Sequence, residues 1–213
     1  YWLHRFDPAT EQFESFGPEW LRSSTNAACS ITDILQDRFD PNRLWMTLVY
    51  RNPAYPIPFD SRLVSFDKQS KQFVEFPCYG KALYQDSLGV VWMGSTGINR
   101  FEPESGTCIH VDYQFEMNGR MVNPLVRDIE YVRDGFLLSS AYTIGRLNSE
   151  GAPGKAIHVG EDIGIVEEIF ADAGRNVWFG RTNGVSVLSS KEEKIDFYSI
   201  TNYGFSGRIY PGR

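Results

Sequence analysis

The chain predicts a fold made only of β-strands, arranged as four-stranded antiparallel units set side by side. Three observations carry that prediction. The first is repetition: 84–101 reads YQDSLGVVWMGSTGINRF and 170–188 reads FADAGRNVWFGRTNGVSVL. Each runs aspartate, glycine turn, apolar stretch with Trp, Gly, polar turn, Gly and a second apolar stretch. The second is spacing: Trp45, Trp92, Leu137 and Trp178 hold one place in successive copies, at steps of 47, 45 and 41 residues. The third is periodicity. No stretch of eleven or more residues keeps a helical apolar period; Ile163–Ala171 comes closest, but its Val, Ile and Phe favour a strand.

Each copy resolves into four strand signals. In 81–113 they are KALYQ, VVWMG, INRFEP and TCIHVDY, parted by DSLG, STG and ESG. Short apolar runs bounded by Gly, Asp, Ser and Pro read as strands joined by hairpins. A second marker follows each anchor, at Phe66, Phe101, Leu147 and Leu188, and seven residues on come Phe73, Cys108 and Ile195. Phe6 and Phe13 share that spacing, so 1–16 reads as the back half of one more copy. Copies of about 40–45 residues with four strands are blades of a β-propeller. The expected layout is a half blade at 1–16, blades at 30–76, 80–113, 125–160 (degenerate, with Leu137 for Trp) and 165–200, and a linker at 201–213. About five blades are then present, as part of a larger ring.

The residues also carry a family resemblance. Asp86, Gly89, Trp92, Gly94, Thr96, Gly97, Ile98, Arg100, Phe101, Glu102, Pro103 and Ser105 follow D-x-x-G-x-x-W-x-G-x-[ST]-G-[IL]-x-R-[FY]-[DE]-P-x-[ST]. Arg5, Phe6, Asp7, Pro8 and Thr10 match its tail. This pattern resembles the two-component regulator propeller repeat. The resemblance implies the extracytoplasmic, ligand-sensing part of a hybrid histidine kinase or related bacterial receptor. In such proteins the blades form seven-membered rings ahead of a small β-sandwich, a membrane span and a kinase. It implies a periplasmic or extracellular location, partnership with further blades and signalling domains of the same chain, and is compatible with a homodimer of the full receptor. No catalytic residue belongs to the pattern.

Composition fits a β module. Aromatics make up 15% and hydrophobic residues 42% of 213 residues. A net charge of −6 argues against a nucleic-acid partner, which wants a clustered basic face. No run of 18 apolar residues offers a membrane span. Cys29, Cys78 and Cys108 lack CxxC spacing and read as buried or half-buried thiols, with a Cys29–Cys78 disulfide open in an oxidising compartment.

Loop lengths point to where a ligand would sit. Turns between first and second, and third and fourth, strands share one face and are short. Turns between second and third strands, and blade linkers, share the other. There the segment VYRNPAYPIPFDS lengthens the Trp45 blade, and the linkers at 16–30, 113–125 and 198–208 are long. Long loops on a rigid frame concentrate binding residues. The ligand candidates on this elaborated face are Arg51, Tyr55, Tyr142, Arg181 and Asn183, from second-to-third turns of different blades. Tyr offers a flat surface for a sugar ring; Arg and Asn offer directional hydrogen bonds to hydroxyls. A small glycan is the expected ligand. The recurrent Trp45, Trp92 and Trp178, with Phe66 and Phe101, read instead as packing between blades.

Other constellations are weaker. Asp33, Asp128 and Glu168, with Ala82 in the remaining blade, form a column on the first strands. They suit either a cation or hydrogen bonds from N–H groups of a neighbouring blade. His110 and His158 recur inside IHV, and the reading places both on fourth strands far from the elaborated face. D-x-[DN]-x-[DN]-G, HExxH, a nucleophile elbow and a phosphate-cradling loop are missing. No catalytic residue, metal or cofactor is expected. The sequence therefore reads as a glycan-sensing propeller, with a protein-interaction propeller as the alternative and a polysaccharide lyase or hydrolase behind it.

Overall fold

The computed structural model describes residues 3–18, 29–50, 60–117, 120–132, 135–148, 151–154, 156–160, 164–190 and 195–199. Among them every regular element is a strand. β1 (Leu3–Asp7) and β2 (Gln12–Phe16) form a hairpin. β3 (Cys29–Gln36), β4 (Arg43–Tyr50), β5 (Asp60–Asp67) and β6 (Phe73–Phe76) form the first complete antiparallel sheet. β7 (Ala82–Gln85), β8 (Val91–Ser95), β9 (Gly97–Glu102) and β10 (Thr107–Val111) form the second. β11 (Phe115–Met117) and β12 (Arg120–Val122) make a small hairpin inside a stretch that the sequence marks only as a linker. β13 (Asp128–Val132), β14 (Gly135–Ser140), β15 (Thr143–Asn148) and β16 (Ile157–His158) form the third sheet. β17 (Val166–Ala171), β18 (Val177–Arg181), β19 (Gly184–Leu188) and β20 (Ile195–Ser199) form the fourth. We number the blades 1 to 5 from the β1–β2 hairpin onward. All five sheets with blade topology are antiparallel in simple order, as a propeller requires.

The strands read as continuous apolar runs because blades cover both of their faces. Val91–Gly94 in β8 are all buried. The outer strand β10 is instead exposed at Thr107, Ile109 and His110 and half-buried at Cys108 and Val111. Packing between blades is aromatic. Trp45 of blade 2 meets Phe101 of blade 3 edge-on at 5.7 Å between centroids. Trp92 of blade 3 meets Phe136 of blade 4 at 4.8 Å. Both indoles are buried, at 1% and 3% exposure.

An aspartate fixes each indole. Asp86 accepts from Leu88 and Val90 N–H through Oδ1 (2.9 and 3.0 Å), and from Trp92 Nε1 through Oδ2 (2.9 Å). Asp37 does the same for Phe39 and Asp40 N–H and for Trp45 Nε1, the last at 2.7 Å. Asp172 accepts from Asn176 N–H and from Trp178 Nε1 at 2.8 Å. One carboxylate thus closes the first hairpin turn and satisfies an N–H that would otherwise be buried without a partner. The Trp178 and Asn176 donors hold the Asp172 carboxyl below its ordinary range. For Asp37, burial pushes upward, but the N–H groups of Phe39 and Asp40 and the Trp45 indole outweigh it and the net direction is down.

First strands adjoin at the inner edge of the blades. Asp33 Oδ2 accepts from Leu83 N of the next blade at 2.8 Å. Asp128 Oδ2 accepts from Ile169 N, also at 2.8 Å. Of the two roles open to this column, the described one is the inter-blade hydrogen bond.

The cysteine expectation needs correction. Cys78 is bonded to Cys108, with Cα atoms 5.6 Å apart, and not to Cys29. Cys78 lies just past β6, and Cys108 lies on the outer strand of the next blade. Register explains the pairing: Leu63 N–H donates to Cys78 O, which folds the linker back over β5 and toward blade 3.

Two outcomes follow. In urea melts, Trp92→Ala should cost about 3–5 kcal/mol, Asp86→Ala about 1–3 kcal/mol, and Leu88→Ser, at a position 85% exposed, under about 0.5 kcal/mol. Reduction of the Cys78–Cys108 bond should lower stability by about 2–4 kcal/mol, read as a drop in melting temperature with dithiothreitol that Cys108→Ser reproduces.

Candidate functional site

The paired strand ends Tyr50–Asp60, Ser95–Gly97, Ser140–Thr143 and Arg181–Gly184 mark the same end of their blades. Two of the expected ligand residues, Arg51 and Tyr55, lie outside the described residues. The other three come together on blades 4 and 5. Tyr142 is half-buried in the β14–β15 turn, and its carbonyl accepts from Val159 N–H at 2.9 Å. Asn183 is exposed in the β18–β19 turn. Arg181 ends β18 and is 1% exposed. Its Nη2 donates to Val159 O (2.7 Å) and Gly160 O (3.1 Å). Segment 159–160 therefore ties the Tyr142 main chain to the Arg181 side chain. Val166 N–H to Ala141 O, at 2.8 Å, and Thr182 N–H to Ile165 O, at 3.2 Å, lock the same corner.

Arg181 differs from the expectation. Its guanidinium is not offered to solvent but holds a blade linker. The physical reason is position: the last residue of a second strand is enclosed by the neighbouring blade, and Arg carries enough donors to serve carbonyls there. Arg181 holds segment 159–160, whose Val159 N–H bonds the Tyr142 carbonyl, while Asn183 stays exposed.

A recess of about 510 Å³ lies at the same end of blade 3, among Tyr79, Thr96, Asn99, His110 and Asn123. Asn99 Oδ1 is 2.9 Å from His110 Nδ1. Asn99 Nδ2 donates to Tyr79 O at 2.5 Å. Arg62 covers the Tyr79 ring at 4.7 Å and donates to its hydroxyl at 3.1 Å. Gly97 is needed in the adjoining turn: its φ is +87°, and a Cβ would lie 3.0 Å from Val111 O and 3.2 Å from His110 Cε1.

His110 and His158 are thus misplaced by the sequence reading. His110 pairs with Asn99 and His158 with Thr143, so both sit at the elaborated end of their strands. The signal for Asn99 was legible as a polar residue inside the apolar GINRF strand; that for His110 needed the register.

At the inner edge, Asp128 is pushed well above its ordinary range, first by burial, then by the nearby Glu168 and Asp33. Among the described residues no group of three or more His, Cys, Asp or Glu is placed to hold a metal ion.

No protein-family profile matches the chain, and no curated protein matches it. Solved structures do. Streptogramin B lyase is similar over 83% of this chain and 60% of its own, at 17% identity and a TM-score of 0.56. The extracellular domain of a one-component system protein from B. thetaiotaomicron is similar over 84% of this chain and 30% of its own, at 15% identity and a TM-score of 0.56. A chain of the nidogen/laminin complex is similar over 93% of this chain and 72% of its own, at 11% identity and a TM-score of 0.62. The chain spans less than two thirds of the first two. At these identities the likeness shows a shared fold, the β-propeller.

A carboxyl with a raised folded pKa binds its proton more tightly folded than unfolded. Its contribution is therefore full below the unfolded aspartate value of about 3.9 and is lost as pH rises through the folded value. Urea melts across pH should show this loss, and Glu168→Gln should flatten it by removing one repelling charge.

Proposed function

We propose that this chain is the ligand-sensing propeller of an extracytoplasmic bacterial receptor and that it reads a small glycan at the elaborated end of its blades. The observation that carries the reading is the corner built from Ala141–Tyr142, 159–160, 165–166 and 181–183. A buried arginine and cross-blade main-chain bonds hold the backbone of Tyr142 and the turn that carries exposed Asn183, on adjacent blades. A tyrosine and an amide from neighbouring turns suit a sugar, whose apolar face stacks while its hydroxyls bond. The recess with Tyr79, Asn99 and His110 lies at the same end. The disulfide favours an oxidising compartment, outside the cytoplasm. The repeat resemblance and the fold shared with an extracellular one-component sensor domain support the same class. A two-component kinase as the output, and a periplasmic location, are the finer parts of the proposal. Binding would shift the receptor only by as much as the glycan prefers one state.

Calorimetry of the protein against neutral and uronate oligosaccharides tests it. Tyr142→Ala with Asn183→Ala should weaken glycan binding at least tenfold, and Arg51→Ala with Tyr55→Ala should add to that loss. Binding that survives all four changes would place the site elsewhere. A protein ligand with no glycan response would favour the interaction reading.

A further inference from the structure

A cavity of about 1120 Å³ lies between blades 4 and 5. Its lining runs from Asp172, Arg175 and Ser190 to His158, the partner of Thr143. Its cause is the degenerate copy. Leu137 occupies the place of Trp45 and Trp92 and packs toward Val177 and Leu188 of blade 5. A leucine fills less of that space than an indole. The β13–β14 connection holds only positions 133 and 134 between the paired Val132 and Gly135, too few for the aspartate turn of the other blades. The outer strand β16 spans two residues, against five for β10 and β20, which leaves the cleft open at its rim.

The same substitution strands an arginine. In blade 3, Arg100 stands across from Trp92. Its guanidinium covers that indole at 5.9 Å and bonds the Glu102 carboxylate at 3.0 Å. In blade 4 the equivalent residue is Arg146, across from Leu137. The place of Glu102 is taken by Asn148, whose Oδ1 accepts from Ala152 N–H. Arg146 has therefore lost both the ring and the carboxylate that its counterpart holds. It is exposed and lines the cleft. Arg175 lines the facing wall, its backbone held at φ 66° with its N–H on Asp172 O. Neither guanidinium has a carboxylate partner among the described residues. The lining carboxylate, Asp172, is taken by Trp178 and Asn176.

We propose that this cleft binds a small molecule made of a flat aromatic ring bearing a carboxylate. The ring lies on Leu137, Val177 and Leu188 under Arg146, where the other blades keep an indole. The carboxylate meets Arg146 and Arg175. Arginine supplies both stacking and bidentate carboxylate contacts. The volume, about 1120 Å³, lies just above the range of small-molecule sites, about 300–1,000 Å³, so a small ring acid fits with room to spare. The proposal does not depend on the glycan reading.

Titration of the protein with three probes, by calorimetry and by ligand-observed NMR, tests the assignment: indole-3-acetate, indole and acetate. Indole-3-acetate should bind at least tenfold tighter than either fragment. Arg146→Gln should weaken it at least tenfold. Leu137→Trp with Asn148→Glu returns the internal ring and acid to Arg146 and should abolish binding; if that pair does not fold, Asn148→Glu alone should weaken binding several-fold. Tyr142→Ala should change nothing. Equal affinity for indole and indole-3-acetate, affinity untouched by Arg146→Gln, or no binding of any probe at millimolar concentration would overturn the proposal.

Discussion

The contact on which the rest of the structure depends is the bond from an aspartate in the first turn of a blade to the indole N–H on its second strand. It does two jobs with one carboxylate. One oxygen closes the turn, and the other makes it possible to bury a tryptophan without an orphaned donor. The indole then fills the gap to the next blade. Local chain reversal and long-range packing are coupled in this way, and each copy of the repeat carries both. Blades 2, 3 and 5 have the pair; blade 4 does not, and a cavity of about 1120 Å³ lies at its interface with blade 5.

A second constraint is that the hub is built from acids. Asp33 and Asp128 each give an oxygen to the N–H of the neighbouring first strand. The cost is electrostatic, since Glu168 faces Asp128 and both share a partly enclosed space. Hydrogen bonds to the charged form favour ionisation, while burial and the neighbouring acid oppose it, and for Asp128 the opposition wins. Blade angle is thus fixed by groups whose charge is itself sensitive to how closely the blades approach.

Much of this was legible in the sequence. Periodic tryptophans, short apolar runs and turn residues give the propeller because each is a local signal repeated in register. The carboxylate column was visible too, since Asp33 and Asp128 sit one residue before the matching Ile34 and Ile129. What stayed hidden were relations between strands. The Cys78–Cys108 bond depends on how the linker folds back after β6, which spacing does not encode. His110 was assigned to the wrong end of its blade because a fourth strand's polarity follows from its pairing with Asn99. Arg181 has the composition of a ligand residue, and only its burial shows that it serves main-chain carbonyls. Arg51 and Tyr55 lie outside the described residues and rest on the sequence alone.

The disulfide has a mechanical consequence. Blades in a propeller touch mainly their neighbours, so a chain under tension would peel blade by blade. Cys78 and Cys108 are 30 residues apart in sequence, and their bond spans the junction of blades 2 and 3. Pulled from its ends, the chain would transmit force straight across that bond. The whole of β7, β8 and β9 lies inside the closed loop and bears no load. About 100 Å of contour length, at roughly 3.4 Å per residue, is withheld from extension until the bond is reduced. Under shear the propeller would therefore keep its third blade threaded while the others gave way.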